Sequence, residues 1–495
     1  MLGNYIRSAF RVHWKSRAES AINLIGLTAG LAAVILIGLF IRDELSYDGW
    51  WPGGERIYAV ETSFTFPGRE GLDYAVSSGP IGPALAEDFP ADIATASRLY
   101  IEGGTLSIGD RRFKEGIGFV DANFFQVFDL KMVIGDRAAA LRDNSSILLS
   151  QTMAEKYFGQ TDPLGAILTF NGNTDYRVVG VFEDFPLNSH LAVDFIGLIN
   201  PARYEDQNWV LGSWFSPNLY TYLLLNDGVT AESLLSRFPE FLNRRMSGPF
   251  FGQRDAEASD FMALHLVAMP DIHLYSTRPY NIKPVGSITT VYTFASVALL
   301  ILLTACINYI NLSTARATNR APEIAMRKVL GAHRRQLLVQ FVTESVLVMM
   351  VALFLALGAV QMALPGFNSF LGKEIELAFS DPLLSLALPA FTVFIGVLAG
   401  LYPALYLSAF RPSRVLTANR SESGLAGRFR NILVVLQFSV AIGLILSTVI
   451  VYNQTRFAQT MDLGYEKAGK IIVRGLNGDQ AKDKAVAFEQ EVEKL

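Results

Sequence analysis

Cysteine is almost absent from this 495-residue chain: Cys306 stands alone, so the chain can form neither an internal disulfide nor a cysteine-built metal site. Charge is scarce too. Only 18% of residues are charged against the roughly 25% usual in soluble domains, while 51% are hydrophobic and the mean hydropathy is +0.29. These values exclude a disordered chain and collagen-like or coiled-coil rods. The net charge of -4 lacks the basic excess of a nucleic-acid binder, so no nucleic-acid partner is expected. The five histidines, at positions 13, 190, 265, 273 and 333, form no H-E-x-x-H pattern or close pair, and no metal site is expected. There is no G-x-S-x-G elbow. Gly464, Gly469 and Lys470 fit the spacing of a phosphate loop, but Ile471 follows where a magnesium-binding Ser or Thr belongs. The chain is therefore expected to be no enzyme, with no catalytic residue and no cofactor of its own.

What the chain has in excess is long uncharged runs. Residues 21–41, 284–315, 345–372, 382–410 and 431–455 carry no charge, and each holds about 20 apolar residues, enough for a hydrocarbon layer of roughly 30 Å. The first run is too long for a cleaved signal and has no A-x-A-like site behind it, so it reads as an anchor. Arg7, Arg11, Lys15 and Arg17 precede it. Arg316, Arg320, Arg327, Lys328, Arg334 and Arg335 lie between the second and third runs, and Arg411, Arg414, Arg420, Arg428 and Arg430 between the fourth and fifth. Basic loops stay inside, so the N-terminus is expected inside and the long region after the first run outside. That region, 42–285, carries 19 Lys/Arg against 32 Asp/Glu.

The expected organisation is a surface helix over 1–20, spans at 21–41, 286–312, 337–364, 383–409 and 431–452, and an outer domain at 42–285. Inner loops are expected at 313–336 and 410–430, a short outer loop at 365–382, and the start of a second outer domain at 453–495. Leu2, Ile6, Phe10 and Trp14 share one face of the surface helix. The outer domain reads as mixed α/β, with strands at 176–182 and 147–150, a helix after the latter, and Thr230 capping a helix through Leu234 and Phe241. A basic helix, a span and a polar segment recur after Arg428, and the chain reads as cut short or completed elsewhere. Gly26/Gly30 and Gly396/Gly400 have G-x-x-x-G spacing, which permits close helix packing or simply reflects how common glycine is in membrane helices. Glu344, at a helix end, reads as an interfacial carboxylate paired with Arg334, Arg335 or a partner.

The inner loop 313–336 carries the densest signal. Pro322 suits a first helical turn, Glu323 the positive end of the helix dipole, Arg327 and Lys328 the negative end, and Gly331 a left-handed close. The spacing predicts a separate helix of about nine residues, apolar on one side through Ile324, Val329 and Leu330. It reads either as an element that passes force from a partner or as a linker whose cations fix topology.

Glu323, Ile324, Ala325, Met326, Arg327, Lys328, Val329, Leu330, Gly331 and Ala332, followed by Gln340, Phe341, Glu344 and Ser345, resemble the signature of FtsX/MacB-type ABC transporter permeases. Asn23 to Leu31 with Arg42, Asp43, Glu44, Leu45, Ser46, Tyr47 and Asp48 resembles the N-terminus of the large duplicated members. Phe124, Phe125 and Phe128, Lys156 to Gly159, Val179 to Phe182, and Asn188, Ser189 and His190 resemble the MacB-type periplasmic core. Tyr402 to Leu405, Ser408 and Phe410 to Pro412 resemble the end of the family's fourth helix. Ala325 departs from a frequent glycine.

The resemblance implies an α-helical integral membrane protein: a four-helix permease unit plus the first helix of a second, with a large α/β extracytoplasmic domain inserted between membrane helices 1 and 2. It implies the bacterial inner membrane, with the N-terminus cytoplasmic and the large domain periplasmic. It also implies a partner cytoplasmic ABC ATPase that binds the ATP and whose closure pushes the helix near Pro322. Contact with membrane lipid and a periplasmic partner, or a protein or lipid substrate for export or extraction, complete the expectation. A membrane sensor would need an inner effector domain, and a secondary transporter would need ionisable groups at mid-membrane.

Overall fold

The computed structural model describes residues 17–137, 141–246, 256–408, 424–462 and 488–492. The expected surface helix over 1–20 lies outside them except for its last residues, as do most of the loop 410–430 and the whole of 464–473. The described chain forms two units. An α/β unit takes in Glu44–Ile288 together with the described residues 488–492, and a helical unit takes in the described chain up to Asp43 and from Thr289 to residue 462.

In the α/β unit, twelve strands form one sheet: β1 Ile57–Phe64, β2 Leu72–Tyr74, β3 Ser77–Ser78, β4 Ile93–Ile108, β5 Arg111–Val120, β6 Met132–Gly135, β7 Ser146–Ser150, β8 Ile167–Phe170, β9 Thr174–Phe182, β10 Phe195–Leu198, β11 Pro217–Leu225 and β12 Met262–Ala268. The order runs β12-β1-β11-β4-β5-β10-β7-β9-β6. Strand β8 bonds both β9 and the far end of β4, pairing Leu106 with Phe170 and Ser107 with Thr169. Strands β4, β5, β10, β7, β9 and β8 thus close into a ring. Alternate residues of a strand face one side. Accordingly Leu106, Ile117, Phe119, Ile147, Leu149, Leu168, Phe170, Tyr176, Val178 and Phe195 form one buried cluster inside it. At one mouth Arg203 donates to Glu102 (2.7 Å) and to the Tyr176 hydroxyl (2.8 Å), over the faces of Phe119 and Phe170.

Beyond β4 the open sheet β11-β1-β12 is covered by two helices, α2 (Ile81–Asp88) and α4 (Phe238–Arg245). They bury Leu85, Phe238 and Phe241 with Val60, Leu223 and Leu264. The expected strands are present at β7 and β9, with helix α3 (Gln151–Phe158) after β7, capped by the Ser150 hydroxyl accepting from the Met153 N–H at 3.3 Å. The helix expected after Thr230 is broken. A turn at 236–237 separates Ala231–Leu235 from α4, because Pro239 sits in the first turn of α4 and cannot continue a preceding helix; Thr230 makes no side-chain cap.

The helical unit is built from α1 (Arg17–Leu45), α5 (Ile288–Val329), α6 (Arg334–Leu371), α7 (Pro382–Ser408) and α8 (Gly424–Thr460). Each contains a window long and apolar enough to cross a membrane. Leu27, Leu31, Ile35 and Leu39, one helical turn apart, line one stripe of α1 and pack with Leu302 and Tyr309 of α5, Ala352, Ala356 and Val360 of α6, and Ile395 and Ala399 of α7. Arg42 pairs with Asp381, and Lys373 with Asp43.

Two expectations change here. The helix predicted to start at Pro322 is no separate element, because α5 runs unbroken for 42 residues and holds Pro322 inside it. Proline costs one backbone bond there, but Ala315, Ala317, Ala321 and Ala325 are the best helix formers and carry the helix through. Likewise α6 passes Pro365 and ends only at Gly372, left-handed at φ +64°, so the outer loop expected at 365–382 shortens to 372–381.

The ring's interior sets the first prediction. Phe170→Ala should lower the stability of the α/β unit by about 3–5 kcal/mol. It should be read as earlier thermal onset of proteolysis within 44–288 of the full chain, with cleavage of the helical unit unchanged.

Candidate functional site

The turn between α5 and α6 is closed by backbone geometry. The Ala332 N–H donates to the Arg327 carbonyl (3.0 Å) and the Gly331 N–H to the Lys328 carbonyl (3.1 Å), with Gly331 left-handed at φ +96°. That is a Schellman close, and it requires a residue without a Cβ penalty at 331. Two residues on, His333 and Gln336 form a capping box that starts α6 at once, the His333 N–H donating to Gln336 Oε1 at 3.0 Å. The glycine was readable from sequence. The box was not, because histidine is not among the usual capping residues.

The turn is tied to its neighbours. Arg327 donates to Gln340 Oε1 (3.1 Å), and Gln340 Nε2 donates to Glu344 Oε1 (3.2 Å). Lys328 donates to the Ser408 carbonyl (2.7 Å), and Arg334 Nε to the Ser408 hydroxyl (3.2 Å). Ile324 is buried with Leu337, Phe341 and Ala404, and Ala325 is buried too. Ile324, grouped from the sequence with Val329 and Leu330 on one apolar side, is separated from them here, packed against Leu337 and Phe341 of α6 and Ala404 of α7. The residues that do face outward are Met326, Val329 and Leu330, at 66%, 67% and 82% exposure. Pro322 is exposed, and Glu323 lies in the same helix. Glu344, expected as an interfacial carboxylate paired with Arg334, Arg335 or a partner, is buried and accepts from Gln340.

The glycine pairs sit where helices approach closely. A Cβ on Gly30 would lie 2.9 Å from the Ala305 Cβ, and one on Gly26 3.5 Å from Asn308 Nδ2, both on α5. A Cβ on Gly396 would lie 3.0 Å from the Val346 Cα, and one on Gly400 2.6 Å from the Ser345 Cβ, both on α6.

In the α/β unit a second arrangement holds the chain leaving α1. Asp48, fully buried and left-handed at φ +55°, accepts from the Ser189 hydroxyl (2.8 Å) and the His190 N–H (3.0 Å). Its carboxylate also lies 2.9 Å from His190 Nδ1, an ion-pair distance without hydrogen-bond alignment. Burial pushes the Tyr222 phenol well up, and its hydroxyl lies at hydrogen-bond distance, 3.0 Å, from His190 Nε2. Asn188 donates to the Ser46 hydroxyl (3.0 Å) and the Asp48 N–H to the Asn188 carbonyl (2.9 Å). His273 lies 3.0 Å from Glu44 Oε2 and stacks on Tyr47 at 3.4 Å. Burial pulls the Lys283 ammonium down against Asp48 and Asp194, and it donates to the Leu187 carbonyl at 3.2 Å. Residues 44–48 and 188–190, some 140 positions apart, thus form one latch. Sequence reading picked out both segments as motifs and had no signal that they meet. Among the described residues no group of three or more His, Cys, Asp or Glu is placed to hold a metal ion.

Among the described residues five membrane-length helices, with an α/β unit inserted between the first and second, define a multi-pass membrane protein with an extracellular domain. Residues 20–240 match the MacB-like periplasmic core domain and residues 295–412 the FtsX-like permease C-terminal domain. The chain belongs to the FtsX/MacB-type ABC transporter permeases. The ABC transporter permeases YvrN and YknZ of Bacillus subtilis (strain 168) are each 21% identical to it, over 82% and 83% of this chain and 98% of each relative. The macrolide export ATP-binding/permease protein MacB of Bdellovibrio bacteriovorus is 26% identical over 54% of this chain, which spans only 38% of that protein. The periplasmic region of MacB from Actinobacillus actinomycetemcomitans aligns in structure with 44% of this chain and 91% of its own length, at 16% identity and a TM-score of 0.32.

Two predictions follow from these geometries. Asp48→Ala leaves the buried Ser189 and His190 donors without their acceptor and should cost the α/β unit about 3 kcal/mol. Asp48→Asn should cost less, since asparagine accepts and tolerates positive φ; proteolysis onset of the full chain ranks the two. Gly331→Val forces a β-branched residue to φ +96° and should destabilise the turn by about 1–2 kcal/mol. It should be seen as faster amide exchange at 327–333 than in the parent.

Proposed function

We propose that this permease is the membrane subunit driven by a separate cytoplasmic ATPase, which binds the ATP. Its N-terminus is then cytoplasmic, and motion imposed at the α5–α6 turn reaches the extracellular domain to export or extract a substrate. The observation that carries the reading is the outward apolar face of Met326, Val329 and Leu330 on a turn whose Arg327 and Lys328 are already engaged within the chain. Rigid capping on both sides lets a push on that face move α5 and α6 together. α5 is unbroken over 42 residues, about 63 Å at 1.5 Å per residue, so axial motion at its inner end arrives at Ile288. The basic residues around both inner loops favour the same side for the turn.

Replacing Met326, Val329 and Leu330 together by Asp should abolish co-purification of the ATPase in detergent and permease-dependent stimulation of its turnover. The intramolecular bonds of Arg327 and Lys328 should remain. Unchanged binding and stimulation in a folded variant would overturn the coupling role. In intact cells an impermeant thiol reagent should label Ser107→Cys and spare Leu330→Cys; the reverse pattern would overturn the orientation.

A further inference from the structure

The end of α1 fixes a level in the membrane. Its charge-free stretch 21–41 spans about 32 Å at 1.5 Å per residue, so the hydrocarbon edge falls near Ile41. Leu45, four residues or about 6 Å further on, lies within the polar layer, which is roughly 5–8 Å thick on each side. The latch holds other parts of the α/β unit close to residues 44–48. Asn188 is bonded to Ser46 and Asp48, which places Leu187 beside them. His273 is bonded to Glu44, which brings Tyr275 within two residues, or about 7 Å of chain. Trp50 stacks on the buried Trp51 at 4.2 Å. Leu45, Trp50, Leu187 and Tyr275 nonetheless keep between 40% and 57% of their surface exposed. Large apolar and amphipathic side chains this near the end of a membrane helix are what the membrane–water interface accommodates.

We propose that this rim is a lipid-contacting surface: Leu45, Trp50, Leu187 and Tyr275 seat the base of the extracellular domain in the headgroup layer of the leaflet on its side. The occupant is the bilayer, because each residue is tethered within a few residues of a helix that enters it. Lys283, donating to the Leu187 carbonyl, braces the loop that carries Leu187. The surface holds the latch at a fixed depth whether or not an ATPase is bound, so it stands independently of the coupling reading.

The test uses the full chain in lipid nanodiscs, with Cys306→Ala and a nitroxide at Leu187→Cys or Tyr275→Cys. Leu164→Cys, comparably exposed ahead of β8, is the control. The ratio of oxygen to water-soluble nickel-chelate accessibility should be several-fold higher at 187 and 275 than at 164. Water-like ratios at both positions would overturn the proposal. So would shielding from both reagents that persists in detergent, since that means a protein covers the rim. A second readout spares these positions: in a Trp14→Phe background, which removes the tryptophan of the expected surface helix, Trp50→Phe should remove most of the remaining tryptophan emission quenched by lipids brominated in the upper acyl chain. Quenching unchanged by that substitution would count against the surface.

Discussion

Inside a bilayer the peptide backbone has only itself to bond to, so every crossing must be an unbroken helix and every break must fall at an end. Most of this architecture follows from that constraint. It keeps α5 and α6 helical across their apolar windows and leaves the reversal between them to the few residues around Gly331, beyond the charge-free stretch of α5. It also collects the irregular chain into the α/β unit, where a closed ring of strands meets its backbone needs without lipid. A turn made this short, with a Schellman close on one side and a capping box on the other, has little freedom of its own. What acts on it acts on both helices.

The latch at the base of the α/β unit answers a related problem. A domain inserted between two membrane helices can pass on their motion only if the connecting chain is held. Asp48 does this with buried acceptor oxygens rather than with apolar packing: removing one partner leaves donors unsatisfied, which makes the joint specific as well as firm. The His273 ring, stacked on Tyr47 and facing Glu44, holds the last turn of α1 in the same way.

The five crossings were readable because charge-free runs of 20 or more residues have few alternatives, and strands β7 and β9 because their β-branched residues are bounded by turn signals. Two things were not readable. The course of the chain at Pro322 depends on helix formers on both sides outweighing one lost bond, a balance that local capping signals do not report. The side from which Ile324 is covered depends on α6 and α7, whose packing no pattern within 322–332 encodes; hence the outward face consists of Met326, Val329 and Leu330 rather than Ile324. The closure of the ring through β8 and the meeting of Asp48 with His190 are long-range events of the same kind.

Engagement of a cytoplasmic ATPase at the α5–α6 turn, as proposed, requires direct contact at its outward apolar face. A photo-crosslinking amino acid placed at Leu330 in living cells tests it most directly, with one at Phe354, exposed on α6 within the membrane window, as the comparison. Position 330 should yield a covalent adduct to a nucleotide-binding ABC subunit, identified by mass spectrometry, and position 354 should not. Adducts at 330 to lipid alone, or the same products at both positions, would contradict it.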